Sequence, residues 1–196
     1  MQETEKNISI ALEKPLSDAT GKHIWEAVEL HEPALIEVHQ FYEEQKKNGA
    51  LSAVGLLISL LSAIPLNVVK GISFTRFKQC EAFLLTFLNF KPEGLESNSP
   101  PESFASIPLS RRLEDNSGKQ AWASIELGEP SLEQVDQFYK LQEAKGGLMA
   151  MGNLISELSG IPVPLINRLC FTDYKRCEGY LLDFLNYSPE AGTGGI

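Results

Sequence analysis

The sequence has few cysteines, no run of basic residues and no apolar segment at its start. Three cysteines in 196 residues, without an export signal, favour reduced thiols in the cytosol over a disulfide framework. The opening MQETEKN is polar and lacks the apolar centre of a signal peptide. A net charge of −9 disfavours nucleic acid as a partner, because contact with the phosphate backbone needs clustered Lys and Arg. We therefore expect a protein of the cytoplasm that does not bind nucleic acid.

Motifs of catalysis are also missing. There is no P-loop, no Gly-rich dinucleotide turn, no Gly-x-Ser-x-Gly and no metalloprotease helix. Cys80 and Cys177 lie among Leu and Phe at helical spacing, where a free cysteine behaves as a small apolar residue. His23, His31 and His39 are eight positions apart, which is not the spacing of metal ligands on a helix. We expect no enzymatic activity, no catalytic residue, no cofactor and no metal.

What the chain does contain is an internal repeat. Residues 57–65 read LISLLSAIP, and residues 154–162 read LISELSGIP. An offset of 97 aligns residues 8–93 with 105–190 without a gap, and 41 of the 86 aligned pairs are identical. This agreement predicts two homologous modules produced by duplication. Residues 94–104, rich in Pro, Ser and Glu, are predicted to be a flexible linker, and residues 191–196 a disordered tail.

The repeat also bears on a possible membrane segment. Residues 50–69 carry no charge over a length that could span a bilayer. The second repeat has Asn153, Glu157, Pro162 and Pro164 within the corresponding stretch. Because homologous modules should share a fold, we expect neither segment to cross a membrane.

Each repeat begins with a predicted β-hairpin. Apolar residues alternate with polar ones on both sides of a turn rich in Asp, Thr and Gly, in the first repeat at Ile8, Ile10, Leu12, Ile24, Val28 and Leu30. Trp25 and its counterpart Trp122 lie an odd number of positions from the apolar residues of the second strand, so alternation places them on its opposite face. We interpret both as packing under a helix, with a role as partner-binding anchors as the alternative.

About three helices follow the hairpin. The first starts near Pro33, ends at Gly49 and carries an apolar stripe from Leu35. The second covers about 50–63, and the third covers about 75–89 and is apolar enough to be the buried centre of its module. The predicted fold class is α+β, mainly helical, with two modules packed as a pseudo-dimer about a pseudo-two-fold axis.

The second helix differs between the repeats. The first repeat has Leu56 and Leu60 where the second has Asn153 and Glu157, so the first-repeat helix is apolar on nearly all sides. An apolar residue left exposed forgoes burial energy and promotes aggregation. Our hypothesis is that this face packs against the second repeat or against a partner protein.

The third helix carries half of a capping motif in each repeat. The motif Ser-x-x-Asp caps a helix through reciprocal hydrogen bonds. The first repeat has Ser73 but Arg76, and the second has Cys170 but Asp173. We interpret these residues as a structural cap.

The order of these segments resembles a known family. A hairpin with GK…W…ELxEP is followed by a helix, then LIxxLSxIP, then FTDYKRCEGYLLDFL. In the second repeat the matching pieces are Leu127 to Pro130, Ile161-Pro162, Leu169 to Tyr174, and Phe184-Leu185. They resemble the small tail assembly chaperones of contractile-tailed, Mu-like phages and cover each repeat almost end to end. That family usually has a single module, so the duplication is a departure.

The resemblance implies a non-enzymatic role in the cytoplasm of a bacterial host. Such chaperones bind the tape measure protein, keep its apolar helices soluble and help to recruit tail tube subunits. The candidate partner-binding residues are Leu56, Leu60, Trp25, Trp122 and Tyr180. Self-association is a further expectation. Two alternatives are a structural tail-completion or virion protein and an acidic adaptor directed at a host protein.

Overall fold

The computed structural model describes residues 5–92, 102–115 and 117–187. The chain divides into two compact units, Met1–Phe90 and Lys91–Ile196, here called unit 1 and unit 2. Most of the predicted linker 94–104 and the whole predicted tail 191–196 lie outside the described residues. Phe104, placed at the end of the linker, already belongs to a strand.

Unit 1 is a two-stranded hairpin followed by four helices. Its elements are β1 Asn7–Ser17, β2 Ile24–His31, α1 Leu35–Asn48, α2 Ala50–Ser62, α3 Leu66–Val69 and α4 Phe74–Leu88. The α+β class with a predominance of helix is confirmed. The count of three helices is wrong, because the one-turn α3 follows Pro65.

Unit 2 has the same succession of elements. They are β3 Phe104–Glu114, β4 Ala121–Gly128, α5 Leu132–Lys145, α6 Gly147–Ser159, α7 Val163–Ile166 and α8 Phe171–Leu185. Every bound lies 97 positions after its counterpart in unit 1. The structural offset therefore equals the offset of the sequence alignment.

Both hairpins change register along their length. In β1 and β2, Ile10 pairs with Val28, but beyond Ala11 the register shifts and Leu16 pairs with Trp25. Such an irregularity breaks the simple alternation of apolar residues along a hairpin. Trp25 packs against the core of unit 1, while Ile24, which the alternation placed inside, is exposed. The prediction that Ile24 faces the core was therefore wrong.

Gly49 joins α1 to α2 without a linker. It has φ +85°, a backbone conformation that side chains disfavour, and Gly146 repeats this geometry between α5 and α6. The prediction that these glycines end the first helix is confirmed. Pro33 lies before the helix rather than in its first turn, because Ala34 is the N-cap.

The central helix of unit 1 is α2, which packs against α1, β2 and α3. It buries Val54, Leu57, Ile58 and Leu61. The prediction that the last helix forms the centre was wrong for α4: one side is buried against β1, while the side that includes Leu85 is exposed. In the part of the chain that the structure describes, no helix is both long and apolar enough to cross a membrane.

Candidate partner-binding surfaces

Leu56 and Leu60 lie one turn apart on α2. Leu56 is half-buried and Leu60 is 37% exposed, so the packing of α2 within the chain does not fully cover this pair. We call these two residues and the helix surface between them the α2 face. The side chains could contact a partner without a change in the backbone.

The equivalent surface of unit 2 is a groove between α5 and α6. Its volume is about 320 Å³, and it is lined in part by Phe138, Leu154, Asn153 and Glu157. The Asn153 side-chain nitrogen donates a hydrogen bond to the Met149 carbonyl oxygen at 2.8 Å, and Glu157 is exposed. The same position on the two units therefore presents leucines in one and an amide and a carboxylate in the other.

The two tryptophans lie in the hairpins, and both are half-buried. Trp25 is half-buried against the core of unit 1, and its ring lies 6.1 Å from the ring of His23, stacked at 25°. Trp122 is half-buried and pairs with the buried Leu113 across the hairpin. These contacts agree with packing inside each unit as the first role of both rings.

Tyr180 uses its hydroxyl within unit 2. The hydroxyl donates to the Glu102 carbonyl oxygen at 2.8 Å, and the ring packs edge-on against Phe184. Burial, with smaller effects from the Glu129 and Glu102 carboxylates, raises the pKa of Tyr180 above its usual value. Of the five candidate residues, Leu56 and Leu60 lie one turn apart on the same helix, and Leu60 is the most exposed.

Asp173, in the first turn of α8, is bonded to residues beyond the capping motif. This fully buried carboxylate accepts hydrogen bonds from the backbone nitrogen and hydroxyl of Ser110, on the neighbouring strand β3, and from Arg176. In unit 1 the equivalent positions are Glu13 and Arg76, whose charged atoms lie 3.8 Å apart. Neither Ser73 nor Cys170 makes a side-chain cap hydrogen bond.

The histidines and cysteines have local structural surroundings. The His23 Nδ1 lies 2.8 Å from an Asp18 oxygen in the hairpin turn, and this contact, with Thr20, holds the pKa of Asp18 well below its usual range. Burial raises the pKa of Cys80 to about 11 and that of Cys177 to about 12. These thiols are therefore neutral at physiological pH, a state that is poorly nucleophilic. Over the described ranges, no cluster of three His, Cys, Asp or Glu could hold a metal.

A second apolar surface was not anticipated from the sequence. A groove of about 240 Å³ in unit 1 is lined by Leu51, Ile72, Phe74 and Phe77, with Lys70 at its side. Leu51 and Phe74 are both exposed. The counterparts of these two residues in unit 2, Leu148 and Phe171, are the same residue types, so comparison of the repeats at these two positions contained no signal for this groove.

Comparison with known proteins gives no match: no family model, no curated protein and no solved structure is similar to this chain.

Proposed function

We propose that this chain is a non-enzymatic tail assembly chaperone of a phage or prophage. It binds the tape measure protein and helps to recruit tail tube subunits in the cytoplasm of the bacterial host. The observation that carries the proposal is the α2 face, where Leu60 is 37% exposed on an acidic chain. Exposed apolar side chains on a helix can receive the apolar face of a partner helix. The sequence resemblance supplies the identity of that partner.

The α2 face suits a helical client for a second reason. Leu56 and Leu60 are one turn apart on the same side of α2, which matches the spacing of apolar residues along an amphipathic helix. The net charge of −9 keeps the chaperone itself soluble while apolar residues remain exposed. Apolar contacts depend less on the exact partner residue than charged contacts do. Such a surface can therefore bind a long client protein at segments that differ in sequence.

We further propose that the two units arose by tandem duplication and stabilise each other as a pseudo-dimer. The identical offset of 97 in sequence and in element bounds supports the duplication. Modules of this size bury a limited core, so mutual packing adds stability to both. A protease site inserted within residues 94–101 tests the packing: after cleavage the two fragments should elute together, and separate elution contradicts it.

The functional test is affinity purification of the tagged chain from cells that make the phage late proteins. The wild type should enrich the tape measure protein, with or without tube subunits. The double variant Leu56→Glu, Leu60→Glu should lose this enrichment while its thermal unfolding stays cooperative. Leu85→Glu, a change at an exposed leucine of α4, is the control and should leave the enrichment unchanged.

Other results would favour a different function. Persistence of the chain in purified phage particles would indicate a structural tail-completion protein. Enrichment of a host protein, with normal tail assembly in its absence, would indicate a host-directed adaptor. If the double variant unfolds, the α2 face belongs to the internal core and is not the binding surface.

A further inference from the structure

Two pairs of identical residues have opposite exposure in the two units. Phe74, at the start of α4, is 68% exposed, but its counterpart Phe171 is only 2% exposed. Leu132, at the start of α5, is 86% exposed, but its counterpart Leu35 is fully buried. At each of these two sites, the residue is therefore buried in one unit and exposed in the other. The exposed site of unit 1 has the phenylalanine, and the exposed site of unit 2 has the leucine.

The uncovered site of unit 1, here called the α4 face, is the groove between α2, α3 and the start of α4. Leu51 and Phe74 stand exposed at its edge, and Ile72 and Phe77 form its half-buried wall. Lys70, which is exposed, lines the same groove. The α4 face is thus an open apolar groove with a cation beside it.

The uncovered site of unit 2, here called the α5 face, is a protrusion. Leu132 is the most exposed large apolar side chain among the described residues, and Tyr139 is exposed two turns further along α5. Glu129 and Glu133 flank Leu132, and both are exposed. This face therefore offers an apolar side chain surrounded by negative charge.

We propose that copies of this chain associate head to tail, with the α5 face of one copy seated in the α4 face of the next. The two faces are complementary in shape, since the α4 face is a groove and the α5 face carries a protruding leucine. They are also complementary in charge, since Lys70 would lie near Glu129 and Glu133. One interface of this kind covers both exposed sites, and a heterologous interface forms a closed ring or an open filament.

The test uses two full-length variants, Phe74→Asp and Leu132→Asp, each with one face disabled. The wild type should show a weight-average mass in sedimentation that rises above the monomer with concentration. Each variant alone should associate at least about tenfold more weakly, because an apolar anchor is replaced by a carboxylate that must lose its hydration. Both altered residues are exposed, so the fold should survive, as circular dichroism can verify.

A mixture of the two variants gives the distinguishing result. The intact α5 face of the Phe74→Asp copy still meets the intact α4 face of the Leu132→Asp copy, so the mixture should form a dimer and stop there. Ile24→Asp, a change at an exposed residue in neither face, should associate as the wild type does. A monomeric wild type, unimpaired single variants or a monomeric mixture would each overturn the proposal.

Discussion

Ser110 donates two hydrogen bonds to Asp173, from its backbone nitrogen at 2.9 Å and from its hydroxyl at 2.7 Å. They join strand β3 to the first turn of α8, 63 positions further along the chain. Ser110→Ala should lower the free energy of unfolding by about 1–3 kcal/mol, because a buried carboxylate loses a charge-assisted donor. Urea unfolding measures this difference.

The equivalent pair of unit 1 provides the control. Glu13 is largely exposed, and its carboxylate oxygen lies 3.8 Å from the Arg76 guanidinium nitrogen. Glu13→Ala should cost less than about 1 kcal/mol, since exposed ion pairs contribute little. Equal losses at Ser110 and Glu13 would show that burial of Asp173 does not strengthen its hydrogen bonds.

The first helices of the two units differ in their caps. The Ser131 hydroxyl accepts a hydrogen bond from the Gln134 backbone nitrogen, and the Ser131 backbone nitrogen donates one to the Gln134 side-chain oxygen. At Ala34 only the Glu37 carboxylate contributes, accepting from the Ala34 nitrogen. Ala34→Ser should complete the reciprocal cap and raise the free energy of unfolding by about 1 kcal/mol. Thermal unfolding of this variant and of Ser131→Ala should shift in opposite directions, and a shift of the same sign would contradict the prediction.

The buried thiols predict a loss of stability in alkali. The pKa of Cys177 is raised from 9.0 to about 12 by burial, so the folded state retains a proton that the unfolded state releases. The contribution of this thiol to the free energy of unfolding is fully present below about pH 9 and declines as the pH rises towards about 12. Cys177→Ala should reduce the decline measured by urea unfolding at several pH values. An unchanged pH dependence would contradict the buried-thiol explanation.

Periodicity predicted the elements well, and tertiary contacts account for most of what it missed. The helix from Leu35 and the stop at Gly49 follow from local spacing and backbone preference. Alternation did not predict that Ile24 is exposed, because the register shift in the hairpin leaves no mark in the alternation of residues. Asp173 has the sequence position of a capping residue, but its partner Ser110 lies on strand β3, 63 positions earlier in the chain.

The binding surfaces could be predicted only in part. The α2 face was found because Leu56 and Leu60 differ from their counterparts in the second repeat. The α4 face could not be found in this way, since Phe74 and Phe171 are identical in type and opposite in exposure. Identical residues acquire different exposure only from their surroundings in the folded chain.

Co-expression with a tape measure protein encoded in the same genome tests the proposed chaperone function most directly. The soluble fraction of the tape measure protein is measured with and without this chain, and the complex is sized by chromatography. We predict that the tape measure protein is insoluble alone and soluble in a complex with this chain. Unchanged solubility, with this chain eluting by itself, would contradict the proposed function.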